Sequence, residues 1–322
     1  MPAIQLHDVA KAYGGVTALH GIDLAIDRGE VFGFLGPNGA GKSTTIDILL
    51  RFTHPTSGDV EVLGTDVATD PVAVRRRTGL LPEGFSPFET MTGREHVEYA
   101  IEVAGADDDP IALLERVDVA HAADRRAAGY SKGMAQRLAL AMALVGDPQL
   151  LILDEPSTGL DPHGVRRMRE IVREERDRGA TVFFSSHILE QVEAVADRVG
   201  ILNDGRLVAV DTIDGLREAV GTGAELRIDL VDESPDSADH ERTGTSDSQR
   251  MVTTTPDPLA LAEATDGVTA ARREDGQLVV ACRADAKLAV LDAVRDAGFE
   301  IRDFETSTAS LEDLFVSYTE GS

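Results

Sequence analysis

Short apolar runs alternate with longer segments of helical period over residues 1–220. The runs Val31–Leu35, Leu150–Asp154, Thr181–Ser185 and Gly200–Asn203 are candidate strands. Two further β-type stretches, Ile4–Val9 and Ile22–Ile26, precede the first of these and predict an antiparallel annex. Between Gly93 and Asp147 no strand pattern occurs, and apolar residues recur at helical spacing, most clearly across Met134–Leu144. This stretch predicts a helical subdomain over residues 86–147, inserted into an α/β core whose strands and helices alternate. The acid run Asp107-Asp108-Asp109 before Pro110 reads as a solvated helix start.

The pattern changes beyond residue 220. From Asp232 to Asp257 large apolar residues almost vanish among Ser, Thr, Asp and Pro, which predicts a flexible segment over residues 232–257. A strand pair then follows at Val268–Arg272 and Gln277–Cys282, with a helix over Lys287–Ala297 and a strand at Phe299–Phe304. A last helix is expected over Ser310–Thr319, with Ser310 as N-cap and Asp313 at the third helical position. Together with Leu226–Val231 these elements predict a small α+β domain, so the chain divides into residues 1–220 and 221–322.

Composition narrows the function classes. The 322 residues include 31 Lys plus Arg against 57 Asp plus Glu, a net charge of −26. Such a surface repels phosphates, which excludes a nucleic-acid binder held by a basic face. Only Lys11, Lys42, Lys132 and Lys287 are lysines. Hydrated carboxylates with few lysines fit a high-salt cytoplasm, where the Debye length is about 3 Å at 1 M and self-repulsion is screened. An acidic mesophilic protein is the alternative. A lone cysteine, Cys282, precludes an intramolecular disulfide or a multi-cysteine metal site, and its apolar setting reads as a buried hydrophobe. Neither a signal peptide nor an apolar stretch of membrane-spanning length is visible, so a cytoplasmic location is expected.

The strongest chemical signal is Gly36-Pro37-Asn38-Gly39-Ala40-Gly41-Lys42-Ser43-Thr44, a match to G-x-x-x-x-G-K-[ST] between an apolar strand and a helical pattern. Its glycines let the backbone wrap phosphates, and successive N–H groups at a helix start favour the anion. Lys42 is placed to contact the β- and γ-phosphates, and the Ser43 hydroxyl to bind Mg²⁺. The second signal is the apolar strand ending in Asp154 and Glu155, at the edge where ligands of open α/β sheets bind. Asp154 suits the metal side, and Glu155 suits orientation or deprotonation of a water.

The segment Tyr130-Ser131-Lys132-Gly133-Met134-Ala135-Gln136-Arg137 resembles the signature motif of the ATP-binding subunits of ABC transporters, and the resemblance covers residues 1–220. Ser131 and Gly133 keep the family's places, while Lys132 and Met134 replace its Gly and Gln. The resemblance implies a P-loop NTPase fold of ABC type, with ATP and Mg²⁺ as ligands. It further implies a head-to-tail homodimer in which Ser131 and Gly133 face the nucleotide of the other copy. In the same way Asp161 resembles the D-loop aspartate, His187 the switch histidine and Tyr13 the aromatic that stacks on adenine. Glu83 stands where the family commonly has a Q-loop glutamine; its carboxylate can still coordinate Mg²⁺.

The ending Ser307–Phe315 is similar to the tail of the export-type branch. That implies a subunit peripheral on the inner face of the cell membrane, working with a separate integral permease, and no nucleic-acid partner. Two other readings stay open: a soluble ABC ATPase outside transport, and a nucleotide-sensing module without catalysis. Cargo is beyond the sequence, although no Met/Cys/His cluster favours copper.

Overall fold

In the computed structural model the described residues are 1–220, 224–230, 257–274, 276–283 and 285–307, and they divide into two compact units between Ile213 and Asp214. The first unit opens with β1 (Ile4–Tyr13), β2 (Val16–Ile26) and β3 (Val31–Leu35), then α1 (Lys42–Leu49), β4 (Ser57–Val62) and β5 (Thr65–Asp66). It continues through α2 (Pro71–Arg75), β6 (Thr78–Leu81), α3 (Gly93–Ala104), α4 (Pro110–Arg116) and α5 (Lys132–Ala143). There follow β7 (Leu150–Asp154), α6 (Pro162–Asp177), β8 (Thr181–Ser186), α7 (Leu189–Glu193), β9 (Arg198–Asn203) and β10 (Arg206–Asp211), and the division falls at the first residue of α8 (Ile213–Val220), whose remainder belongs to the second unit.

The central sheet has the order β10-β9-β3-β8-β7-β6, parallel except for the antiparallel β9–β10 pair. Every residue of β3, β7 and β8 is buried, as expected of strands covered on both faces. Three aromatic rings fill the space there, with Phe183 packed against Phe32 and Phe34. The antiparallel annex has the order β2-β1-β4-β5. Its first two strands run further than their apolar cores predict, since the hairpin end from Ala10 to Tyr13 is partly or fully exposed and lacks the alternating apolar signal.

The helical stretch contains α3, α4 and α5, each with a side-chain N-cap: Thr92, Asp109 and Ser131. Asp109 thus ends the acid run by accepting from Ile111 N, with Pro110 at the first helical position, and Asp108 accepts from Gly146 N (3.0 Å). The run does more than face solvent.

The second unit contains β11 (Ala224–Leu230), α9 (Pro258–Glu263), β12 (Val268–Glu274), β13 (Gln277–Cys282), α10 (Lys287–Asp296) and β14 (Ile301–Ser307). Its antiparallel sheet has the order β12-β13-β11-β14. Among the described residues, the succession β-α-β-β-α-β from β11 to β14 with this order matches the split βαβ, ferredoxin-like arrangement. Leu226, Ile228, Leu278, Val280 and Cys282 pack with Ala262, Val290 and Val294 of the two helices. Cys282 is fully buried, in agreement with its reading as a core hydrophobe. The segment expected over 232–257 lies, except for Asp257, outside the described residues, as do the helix Ser310–Thr319 and the tail motif beyond Ser307.

Candidate functional site

Strand order places the chemistry. Because β8 lies between β3 and β7, the phosphate loop after β3, the acids ending β7 and the residues after β8 emerge side by side. In register, Leu35 faces Ser186 and Asp154 faces Ser185.

The loop from Gly36 to Gly41 turns directly into α1, with Gly41 at the N-cap in the left-handed region (φ 110°). A Cβ at Gly41 would lie 2.7 Å from Leu19 Cδ2 and 2.9 Å from Ala18 O of β2, so this position needs glycine for space as well as for φ. Lys42 is buried and folds back on the loop, its ammonium donating to Gly36 O (2.7 Å) and Pro37 O (3.3 Å). A cleft of about 250 Å³ is lined by the loop residues Pro37, Asn38, Gly39, Gly41, Lys42, Ser43 and Thr44, with Ala18, Glu83 and Glu155. Gly36 and Ala40 complete the loop beneath it.

Glu155 is the pivot of the acidic side. It is 4% exposed and has φ 48°, a left-handed conformation that costs a non-glycine residue about 1–3 kcal/mol. His187 Nδ1 donates to its Oε2 (2.9 Å), and Lys42 Nζ stands 3.6 Å from its Oε1. That Oε1 is buried without a hydrogen-bond partner. A buried carboxylate oxygen without a hydrogen bond is costly, and here its compensation is the ion pair with Lys42 beside the phosphate loop. Asp154 accepts from Ser185 Oγ. Burial pushes its carboxyl up, against the opposing effect of the Ser185 bond. Ser43, Asp154 and Glu83 offer hard oxygen donors of the kind Mg²⁺ takes, so the residues fit Mg-ATP. Tyr13 is not among the lining residues; it stands half exposed at the hairpin end with Lys11 Nζ 4.5 Å over its ring.

Ser131, Gly133 and Asp161 form a second locus, away from the cleft lining. Ser131 caps α5 by accepting from Met134 N (3.2 Å). Asp161 caps α6 by accepting from Gly164 N and also accepts from Arg137 Nη2, both at 2.9 Å. The Gly164 N–H, with Arg137 beside it, holds the Asp161 carboxyl below the usual carboxylate range. A Cβ at Gly133 would lie 2.8 Å from Gly159 O, so the start of α5 and the turn before α6 touch through backbone. The stem of Lys132 crosses Gly159 from the other side.

Three contributors escape a sequence reading. Ser185 bonds Asp154 from the neighbouring strand, and Gln136 bonds the turn after β7. His96, fully buried in α3, donates from Nδ1 to Thr92 O (2.7 Å) and accepts at Nε2 from Phe88 N (2.9 Å), pinning the end of the segment that carries Glu83. Only the Gln136 position had a local signal, since it lies within the signature-like segment.

Comparison with known proteins agrees with this arrangement. The family described as ABC transporter matches residues 19–158. The daunorubicin/doxorubicin resistance ATP-binding protein DrrA of Streptomyces peucetius is 33% identical, over 98% of this chain and 92% of its own length. The bacitracin transport ATP-binding protein BcrA of Bacillus licheniformis is 37% identical over 67% of this chain and 71% of its own. Among solved structures, an ATP-binding subunit of an ABC transporter matches with a TM-score of 0.64 and 31% identity, covering 68% of this chain and 93% of that one.

Proposed function

This chain belongs to the family of ABC transporter ATP-binding subunits, and on that premise we propose that two copies close head to tail around two Mg-ATP molecules and drive a separate integral permease. As a member it is an ATPase. The observation that carries the site assignment is Glu155, whose Oε2 is held by His187 while its buried Oε1, without a hydrogen bond, is ion-paired with Lys42 at 3.6 Å.

Lys42 leaves its loop carbonyls to neutralise phosphate charge, and the α1 N-terminus with the loop N–H groups cradles the phosphates. Ser43, Asp154 and Glu83 would hold Mg²⁺, which when bound would supply Lewis-acid stabilisation of phosphate charge. Glu155 orients the attacking water and takes its proton, and His187 keeps that carboxylate in place. Tyr13 provides a stacking surface for the adenine ring.

Head-to-tail closure is supported by the place of Ser131 and Asp161. Both are exposed and lie off the cleft of their own chain, so a second copy can present them to it. The printed functions of the relatives, resistance to an antibiotic and transport of another, support outward transport. The subunit then sits on the cytoplasmic face through its permease, and the second unit serves as a dimer-stabilising or regulatory accessory. The acidic, lysine-poor composition supports work in concentrated salt.

The test is ATP turnover in Glu155→Gln beside nucleotide binding, run from dilute to molar potassium chloride. Turnover is expected to vanish while Mg-dependent ATP binding and ATP-driven dimerisation persist. Full turnover in the variant would overturn the role of Glu155, and activity that is highest in dilute buffer would overturn the salt reading.

A further inference from the structure

The turn after β7 holds a conformation that a glutamate does not keep unaided. Glu155 is in the left-handed region, at φ 48°, where a residue with a Cβ persists only if its surroundings over-determine it. On the amide side, Glu155 N donates to Ser185 O (3.2 Å) and to Ser185 Oγ (3.3 Å). On the carbonyl side, Thr158 N donates to Glu155 O (3.1 Å). The remaining hold comes from another element. Gln136 of α5 is buried, and its Nε2 donates to Pro156 O (3.1 Å) and, at longer range, to Glu155 O (3.5 Å). Two carbonyl acceptors on one amide group fix which way that amide faces.

We propose that Gln136 is a positioning residue for ATP hydrolysis, its amide strapping the turn after β7 so that the Glu155 carboxylate stays between His187 and Lys42. This rests on the reading of Glu155 as the water-activating carboxylate. Gln136 is not itself a cleft-lining residue, and its bonds toward the site go to the backbone carbonyls of Glu155 and Pro156, so it acts through that turn. It also stands little more than one turn into the helix that begins at Ser131 and Gly133. The strap therefore ties the signature-like helix to the carboxylate within one chain, and a displacement of α5 along β7 is felt at Glu155.

Gln136→Met preserves length and bulk but removes the donor, leaving the Pro156 carbonyl without it. In the full chain, kcat is expected to fall at least about tenfold while KM for ATP changes by less than about twofold. Gln136→Asn keeps an amide but withdraws it by one methylene, and should show the same split, which covers the case in which the methionine variant does not fold. In the Glu155→Gln background, where nucleotide is bound and not turned over, adding Gln136→Met should leave ATP retention unchanged. A damaged site would lower retention together with kcat, and that result would overturn the proposal. Normal kcat in a folded Gln136 variant, beside an inactive Glu155→Gln, overturns the strap alone. Full turnover in Glu155→Gln overturns the reading beneath it.

Discussion

Arg116 joins the helical stretch to α6, and its removal has a calculable consequence. At the end of α4, its Nη2 donates to Glu175 Oε1 (2.9 Å) and to Glu174 Oε2 (3.1 Å) of α6. The Glu175 side chain is only 2% exposed, and its other oxygen is bonded by Arg178. Arg167 of α6 returns the contact by donating from Nε to Arg116 O (2.8 Å). Arg116→Ala leaves Glu175 Oε1 buried without its donor. Breaking a buried pair costs about 3–5 kcal/mol when the charge is left alone, and with Arg178 still in place about half of that, ~2 kcal/mol, is expected. For a unit of about 200 residues this lowers Tm by about 4–8 °C.

Thermal unfolding followed by circular dichroism reads the shift, and Arg94→Ala provides the control. Arg94 pairs with Asp124 at 2.8 Å, but Asp124 is 79% exposed, so that loss should be hard to resolve. In molar salt any exposed contribution disappears within a Debye length of about 3 Å, while the Arg116 effect should remain. Replacing both partners, in Arg116→Met with Glu175→Leu, should recover part of the loss because no ion is then buried alone. The reasoning fails if Arg116→Ala shifts Tm no further than Arg94→Ala, or if molar salt erases the difference.

Three other outcomes follow from single contacts. Gly133→Ala forces a Cβ to 2.8 Å from Gly159 O, so the α5 start must move away from the turn before α6; ATPase rate should fall at least about tenfold with Tm nearly unchanged, and a normal rate would show that this approach is not needed. Asp161 has its carboxyl lowered by the Gly164 N–H, then by Arg137, so its stabilisation is complete above the unfolded value of about 3.9 and is lost as pH falls through the lower folded value. Asp161→Ala should therefore lower Tm at neutral pH, with the gap closing below about pH 4 in melts across that range. Cys282 is fully buried and burial pushes its thiol up, so a thiol reagent should label the native chain slowly and the denatured chain at once; rapid labelling of the native chain would place it outside the core.

What local sequence could determine, it determined closely. The apolar runs at Val31–Leu35 and Leu150–Asp154 match their strands residue for residue, because a strand covered on both faces has no polar position to blur it. The strand–loop–helix setting of the phosphate loop was legible too, and the spacing across Met134–Leu144 found α5 to within two residues at each end, since each depends on residues a few positions apart. Strands with exposed or charged positions were not: β4 carries Asp59 and Glu61, β10 opens on Arg206, and β6 has four residues of which Gly79 lies against Ala143 O. Their pairing, not their pattern, makes them strands.

The tertiary structure alone decided which groups meet. Placing β8 between β3 and β7 brings Ser185 onto Asp154 and His187 onto Glu155, 31 and 32 positions apart in sequence. It also leaves Glu155 Oε1 buried without a hydrogen bond and ion-paired with Lys42, sets Gln136 against the turn after β7, and seats Glu175 between Arg116 and Arg178. Motifs record what a residue can do with its neighbours in the chain. Burial, strain and an unmet hydrogen bond arise only when distant segments share one dry space, and here those conditions select Glu155.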